Sequence, residues 1–157
     1  MTCSVGAVVL ASGESKRFDG GCKLLAPFPD QPLLTRVLEA LPPALFVRRL
    51  VVTRRPDIQR LAKDGGFDVL LHDLPDISDT VRLGVSAMTG LDGCLFAIGD
   101  QPLLTAETTG RLVRAFQAHP ERIVRAYADG VPGNPVLFPK ACYAALAALP
   151  PGKGAVI

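Results

Sequence analysis

The sequence predicts an α/β protein built on a mostly parallel sheet covered by helices on both faces. Short apolar runs rich in Val, Leu and Ile alternate with longer segments of helical period. Prolines punctuate that alternation and none falls inside a proposed helix. With 157 residues, 48% of them hydrophobic, there is material for one domain around one substantial core, and no internal repeat or low-complexity segment divides it.

The elements follow in order. Val5–Ala11 reads as a buried strand: it is too short to span a bilayer, no basic segment precedes it, and it runs straight into a glycine-bearing loop. Leu33–Leu41 reads as a helix opened by Pro32 and closed by Pro42-Pro43. The strand Leu50–Thr53 is followed by the helix Asp57–Lys63 behind Pro56. The strand Asp68–Leu71 is followed by the helix Asp79–Met88. Cys94–Ile98 is a continuous apolar strand with Pro102 after it, and Ala106–Ala118 is the next helix. Fainter strand signals at Ile123–Ala126 and Pro135–Phe138 precede an Ala- and Leu-rich helix over Lys140–Leu149.

Charge narrows the range of partners. The 17 basic and 15 acidic side chains nearly cancel and are scattered, so there is neither a nucleic-acid stripe nor a polybasic membrane patch. The absence of Trp and the presence of only two Tyr leave few platforms for stacking single-stranded bases. Cys3, Cys22, Cys94 and Cys142 stand singly with no C-x-x-C pair, which points to reduced thiols in a cytoplasmic protein rather than a zinc knuckle or disulfide framework. A redox role for Cys22 lacks a resolving partner in the sequence.

In an open parallel sheet, ligands sit beyond the carboxyl ends of the strands, which makes the loop after the first strand, Leu10 to Lys23, the leading candidate site. Leu10, Ala11, Ser12 and Gly13 lead into it, and its small residues let backbone N–H groups approach an anion. It carries neither G-x-x-x-x-G-K-[ST] nor G-x-G-x-x-G, which argues against a P-loop ATPase and a dinucleotide-binding dehydrogenase. Arg17 and Lys23 suit a triphosphate whose leaving pyrophosphate gains charge; the loop alone leaves open that they are solvated surface cations. Asp100, just past the strand Cys94–Ile98, stands where a magnesium ligand would be, or else serves as a turn former or helix cap.

Four motifs occur together: L-A-S-G-E-S-K-R-F with K-L-L from Leu10, D-I-S-D-T-V-R-L-G from Asp76, G-D-Q-P-L-L from Gly99 and G-N-P-V-L-F-P from Gly133. In this combination and order the chain resembles the molybdenum-cofactor nucleotidyltransferases, most closely their CTP:molybdopterin cytidylyltransferase branch. The resemblance implies a single Rossmann-like three-layer domain of the nucleotide-diphospho-sugar transferase type. It implies that Arg17 and Lys23 hold the triphosphate and that Asp100 carries Mg²⁺, or Mn²⁺ in its place. It places Leu10, Ala11, Ser12, Gly13, Ser78, Asp79 and Thr80 at the nucleotide, and Gln101, Pro102, Gly133 and Asn134 at the second substrate, with Gly133-Asn134-Pro135 as a loop against it. The implied reaction moves CMP from CTP to the terminal phosphate of molybdenum-molybdopterin, giving the cytosine dinucleotide cofactor and pyrophosphate.

Several positions depart from the family pattern. Ser12 stands where the cytidylyltransferase branch has Ala and the guanylyltransferase branch Gly, so this position leaves the base open, with CTP the preferred reading. The loop is one residue longer between Arg17 and Lys23, and Asp79 stands where the family has Ser, where it could instead cap the following helix. The family's Gly-Asp-x-Gly-Ala loop reads Pro151-Gly152-Lys153-Gly154-Ala155, and its later Asp-rich motif, with a second metal carboxylate, has no counterpart before Ile157; the expected domain, 1–157, thus lacks the family's C-terminal end. Two other readings remain: an NTP-dependent transferase acting on a different phosphorylated acceptor, or a non-catalytic carrier of nucleotide or molybdenum cofactor serving an apo-molybdoenzyme.

Overall fold

The computed structural model describes residues 2–12 and 23–151. Six strands form one sheet: β1 (Val5–Ala11), β2 (Arg48–Thr53), β3 (Asp68–Leu71), β4 (Gly93–Ile98), β5 (Val124–Ala128) and β6 (Val131–Pro139). Their spatial order is β3-β2-β1-β4-β6-β5. β1, β2, β3 and β4 run parallel, while β6 pairs antiparallel with both β4 and β5. The helices are α1 (Leu33–Glu39), α2 (Pro56–Asp64), α3 (Ile77–Ser86), α4 (Ala106–Ala118) and α5 (Tyr143–Ala147).

Alternation along the strands divides the core in two. Val5, Ala7, Val9 and Ala11 of β1 face one layer, with Leu34 and Val37 of α1, Ile58 and Ala62 of α2, and Val113 and Phe116 of α4. Val8 faces the other, with Val81 and Val85 of α3 and Leu146 of α5. At Gly84 a methyl group would lie 2.7 Å from Val8 Cγ1, so the glycine is what lets α3 settle onto the sheet.

Many boundaries differ from those read in the sequence, most of them by one or two residues, and five of the differences have a physical reason. α1 ends at Glu39 and α5 at Ala147, each short of a residue that precedes proline, Leu41 or Leu149, where the helical conformation is disfavoured. The segment expected to open that last helix is a separate 3₁₀ turn, Lys140–Cys142. α3 begins at Ile77, two residues early, because Asp76 supplies its N-cap. β6 extends back to Val131, so Gly133 and Asn134 belong to a strand rather than a loop: Tyr127 pairs with Pro132 and Ala128 with Val131 across a two-residue turn. That turn has positive φ at both Asp129 (52°) and Gly130 (77°), the backbone that suits a tight hairpin.

Candidate active site

After β1 the chain builds outward through β2 to β3, then returns to β4 on the other flank of β1. The crevice where the strand order reverses lies beyond the carboxyl ends of β1 and β4. Leu10 and Ile98 are register partners, and Gly99 N–H donates to Leu10 O at 3.1 Å. Ser12 and Asp100, each two residues past that pair, therefore leave the sheet at the same edge.

Lys23 opens a 3₁₀ turn, Lys23–Leu25, whose Leu24 is buried. A methyl group at Gly99 would come within 3.2 Å of Leu24 Cδ1, so the absent side chain there lets this turn sit down on the end of β4. The turn brings Lys23 Nζ to 3.7 Å from Asp100 Oδ2, with both side chains 46% exposed. An ion pair this exposed contributes about 0–1 kcal/mol to stability, so two opposite charges meet here at the crevice with little structural return.

From Asp100 a cleft of about 620 Å³ runs between the β4–α4 connection and the β5–β6 hairpin. Gln101, Pro102, Gly133 and Asn134 all line it, beside apolar residues including Leu103 and Tyr127. Gln101 Oε1 is buried with no hydrogen-bond partner among the described residues. Gly133 O accepts from Arg125 Nε at 3.0 Å, which braces the hairpin wall from behind.

On the opposite flank, at the ends of β1, β2 and β3, hydrogen bonds close the structure. Ala11 is buried and its carbonyl accepts from Thr53 Oγ1 at 2.9 Å. Ser12 Oγ lies 3.3 Å from Val52 O and 2.8 Å from His72 Nε2. His72 Nδ1 accepts from Leu74 N–H at 3.1 Å, which places the ring proton of the neutral imidazole on Nε2, donating to Ser12 Oγ while the hydroxyl donates to Val52 O. Burial pushes the His72 imidazole below its ordinary value, the Arg54 charge adds to that, and Asp79 and Asp73 oppose it. His72 was not singled out in the sequence; a histidine directly after a parallel strand on the nucleotide edge is the signal that would have found it.

At the start of α3, Ser78 and Thr80 are buried, and Thr80 Oγ1 has no hydrogen-bond partner among the described residues. Asp79 is the third residue of the helix. Its Oδ2 accepts from Asp76 N–H at 3.1 Å and its Oδ1 from Arg82 Nη2 at 2.6 Å, so the carboxylate is engaged with its own helix start. The Asp76 N–H, and then the Arg82 guanidinium, hold its carboxyl below the usual carboxylate range. Gly13 and Arg17, with Lys16 and Cys22, lie outside the described residues, as does Lys153.

No group of three or more His, Cys, Asp and Glu side chains that could hold a metal unaided occurs among the described residues. Asp100 offers one hard oxygen ligand at the crevice, and the neighbouring Gln101 Oε1 is an unengaged oxygen. That set fits a hydrated divalent cation that completes its shell from water and substrate phosphates. None of the described helices is long and apolar enough to cross a membrane.

With this geometry, the chain matches the MobA-like NTP transferase domain over residues 7–156. It belongs to that family. A molybdenum cofactor guanylyltransferase from Mesorhizobium japonicum is 29% identical over 83% of this chain, and a protein from Rhodospirillum rubrum named bifunctional protein GlmU is 31% identical over 69%. The chain spans 64% of the first relative's length and 25% of the second's. Among solved structures, Rv0371c from Mycobacterium tuberculosis H37Rv superposes with a TM-score of 0.83 at 25% identity, over 98% of this chain and 80% of that one. A manganese complex of Rv0371c gives 0.77 at 25% identity, over 93% and 76%. The MobA-like domain thus accounts for the order of the motifs and for a mostly parallel six-stranded sheet in one α/β domain.

Proposed function

We propose that this MobA-like domain is a nucleotidyltransferase that moves CMP from CTP to the terminal phosphate of molybdenum-bound molybdopterin. The observation that carries the reading is the Lys23–Asp100 pair at 3.7 Å, set at the strand-order reversal and opening onto the cleft lined by Gln101, Pro102, Gly133 and Asn134. An acceptor phosphate oxygen attacks the α-phosphorus, the bond from that phosphorus to the bridging oxygen breaks, and pyrophosphate leaves with the electron pair. Such a transfer needs positioning and charge stabilisation and no covalent intermediate on the protein.

Lys23 neutralises charge at the attacked phosphate, and Arg17 holds the departing pyrophosphate. Asp100 holds Mg²⁺ or Mn²⁺, which when bound supplies Lewis-acid stabilisation of phosphate charge. The nucleotide is assigned to Leu10, Ala11, Ser12 and Gly13 at the end of β1 and beyond it, and to Ser78, Asp79 and Thr80 at the start of α3. Gln101 and Asn134 offer polar groups to the acceptor from opposite walls of an otherwise largely apolar cleft. A cytoplasmic location goes with this reading.

GTP in place of CTP is the second reading, favoured by the relative named a guanylyltransferase. The test is pyrophosphate release from the purified protein with Mg²⁺ and molybdenum cofactor, with CTP, GTP and ATP run in parallel. Release with CTP alone supports the cytidylyl assignment and release with GTP alone replaces it. Nucleotide binding with no release under any condition removes the enzyme reading in favour of a carrier.

A further inference from the structure

We propose that His72 is a positioning residue for the nucleotide, joining the start of the β1 loop to the turn that leads into α3 and holding them together only as a neutral imidazole. The inference rests on the nucleotide site proposed above and adds to it a residue and a pH response. Ser12 is the first residue after β1, and its hydroxyl bridges His72 Nε2, at 2.8 Å, and Val52 O, at 3.3 Å. On its other side the ring accepts Leu74 N–H at 3.1 Å, two residues before the N-cap Asp76 that starts the helix carrying Ser78, Asp79 and Thr80. The backbone of His72 is itself anchored, donating to Thr53 O at 3.0 Å. The imidazole therefore bridges two segments that are far apart in sequence and that the proposed nucleotide site brings to one ligand.

The bridge allows one protonation state. Neutral imidazole with its proton on Nε2 satisfies both neighbours, whereas a second proton on Nδ1 sets two N–H donors against each other at Leu74. Three charged groups act on the ring from the elements around it: Arg54 after β2 disfavours protonation, while Asp73 in the turn and Asp79 on α3 favour it. Asp79 is already paired with Arg82, which weakens its pull. With burial acting in the same sense as Arg54, the neutral form prevails at neutral pH and is lost on acidification.

The experiment measures the affinity of CTP and GTP, each with Mg²⁺, for the full chain and its His72→Gln variant between about pH 5 and 8. Glutamine keeps an N–H donor and an acceptor on a side chain that does not titrate. Because the terminal phosphate of the nucleotide titrates in the same range, the quantity of interest is the ratio of the two proteins' affinities. That ratio is expected to fall by roughly five-fold from neutral to acidic pH, the equivalent of ~1 kcal/mol for one hydrogen bond. The same acidification should speed hydrogen exchange at Leu74 N–H in the wild type and move the His72 ring nitrogens from the Nε2–H tautomer to imidazolium.

A ratio that does not change with pH overturns the inference and leaves the nucleotide site standing. Absence of nucleotide binding by the wild type at every pH overturns the site itself and the inference with it. Should the glutamine variant not fold, the wild type alone decides. Leu74 exchange and His72 titration that move independently of nucleotide affinity count against the bridge, and common movement supports it.

Discussion

On the β3 side of the crevice the side-chain hydrogen-bonding groups of Ser12 and His72 are engaged within the protein, whereas on the β6 side Gln101 Oε1 is buried without a partner among the described residues and about 620 Å³ stands between the walls. Between the two flanks lies the half-exposed Lys23–Asp100 pair. At the strand ends the closed flank is set before any ligand arrives, although Thr80 Oγ1 at the start of α3 is buried without a partner among the described residues. On the proposed assignment the open flank meets its ligand through Gln101 and Asn134, so its selectivity comes from the ligand's own polar groups.

The sharpest break in this comparison is at the centre. Asp100→Asn removes the charge and little volume, and pyrophosphate release is expected to fall by about 10²–10³ in rate, the order found for losing one essential electrostatic contact. The melting temperature should barely move, since the side chain is 46% exposed. Retention of full activity would return Asp100 to a turn former. Lys23→Ala follows, with a loss of ~1–3 kcal/mol in transition-state stabilisation read from kcat/KM. An unchanged kcat/KM would mean that its meeting with Asp100 is a surface contact.

The closed flank should answer through stability. Thr53→Val leaves the Ala11 carbonyl without its buried hydroxyl donor, and chemical denaturation should show a loss of about 1–2 kcal/mol. The mildest effect is expected at Asp79. Its folded-state pKa lies below the ordinary 3.8, so its stabilising contribution is fully present above that value and disappears as pH falls through the lower folded value. Stability curves of wild type and Asp79→Asn should therefore differ at neutral pH and converge at acidic pH; parallel curves would remove the helix-capping role.

The fold was legible in the sequence where short apolar runs mark the strands, buried in β1 and β4 and only partly so in the edge strand β3. β1 and β3 fall at the expected residues, and β2 and β4 start only one or two residues early. β6 was less legible because its first half carries Pro132, Gly133 and Pro135, residues typical of loops, and is held as a strand by its ladder with β5. The signal that closes that hairpin, Asp129-Gly130, was present but unread. At the site, Asp100 could be named because charge at a strand end is local information, and Lys23 because it stands in a glycine-bearing loop within a motif that resembles the family's. The bridge through His72 could not, since it depends on Ser12 and His72 meeting across β2, 60 residues apart in the chain. Asp79 sat between the two cases: the D-x-x-D spacing from Asp76 announces a capping box, and α3 starts accordingly.

The tight turn at Asp129–Gly130 has an evolutionary consequence. The wall of the cleft opposite Gln101 is a hairpin bonded to the sheet only along β4, so residues can be added or exchanged at its tip without disturbing β1, β2 or β3. On the proposed assignment, the acceptor side can therefore be retooled by swapping one hairpin while the nucleotide side is inherited intact, and a chimera grafted at Ala128 and Val131 is the laboratory form of that exchange.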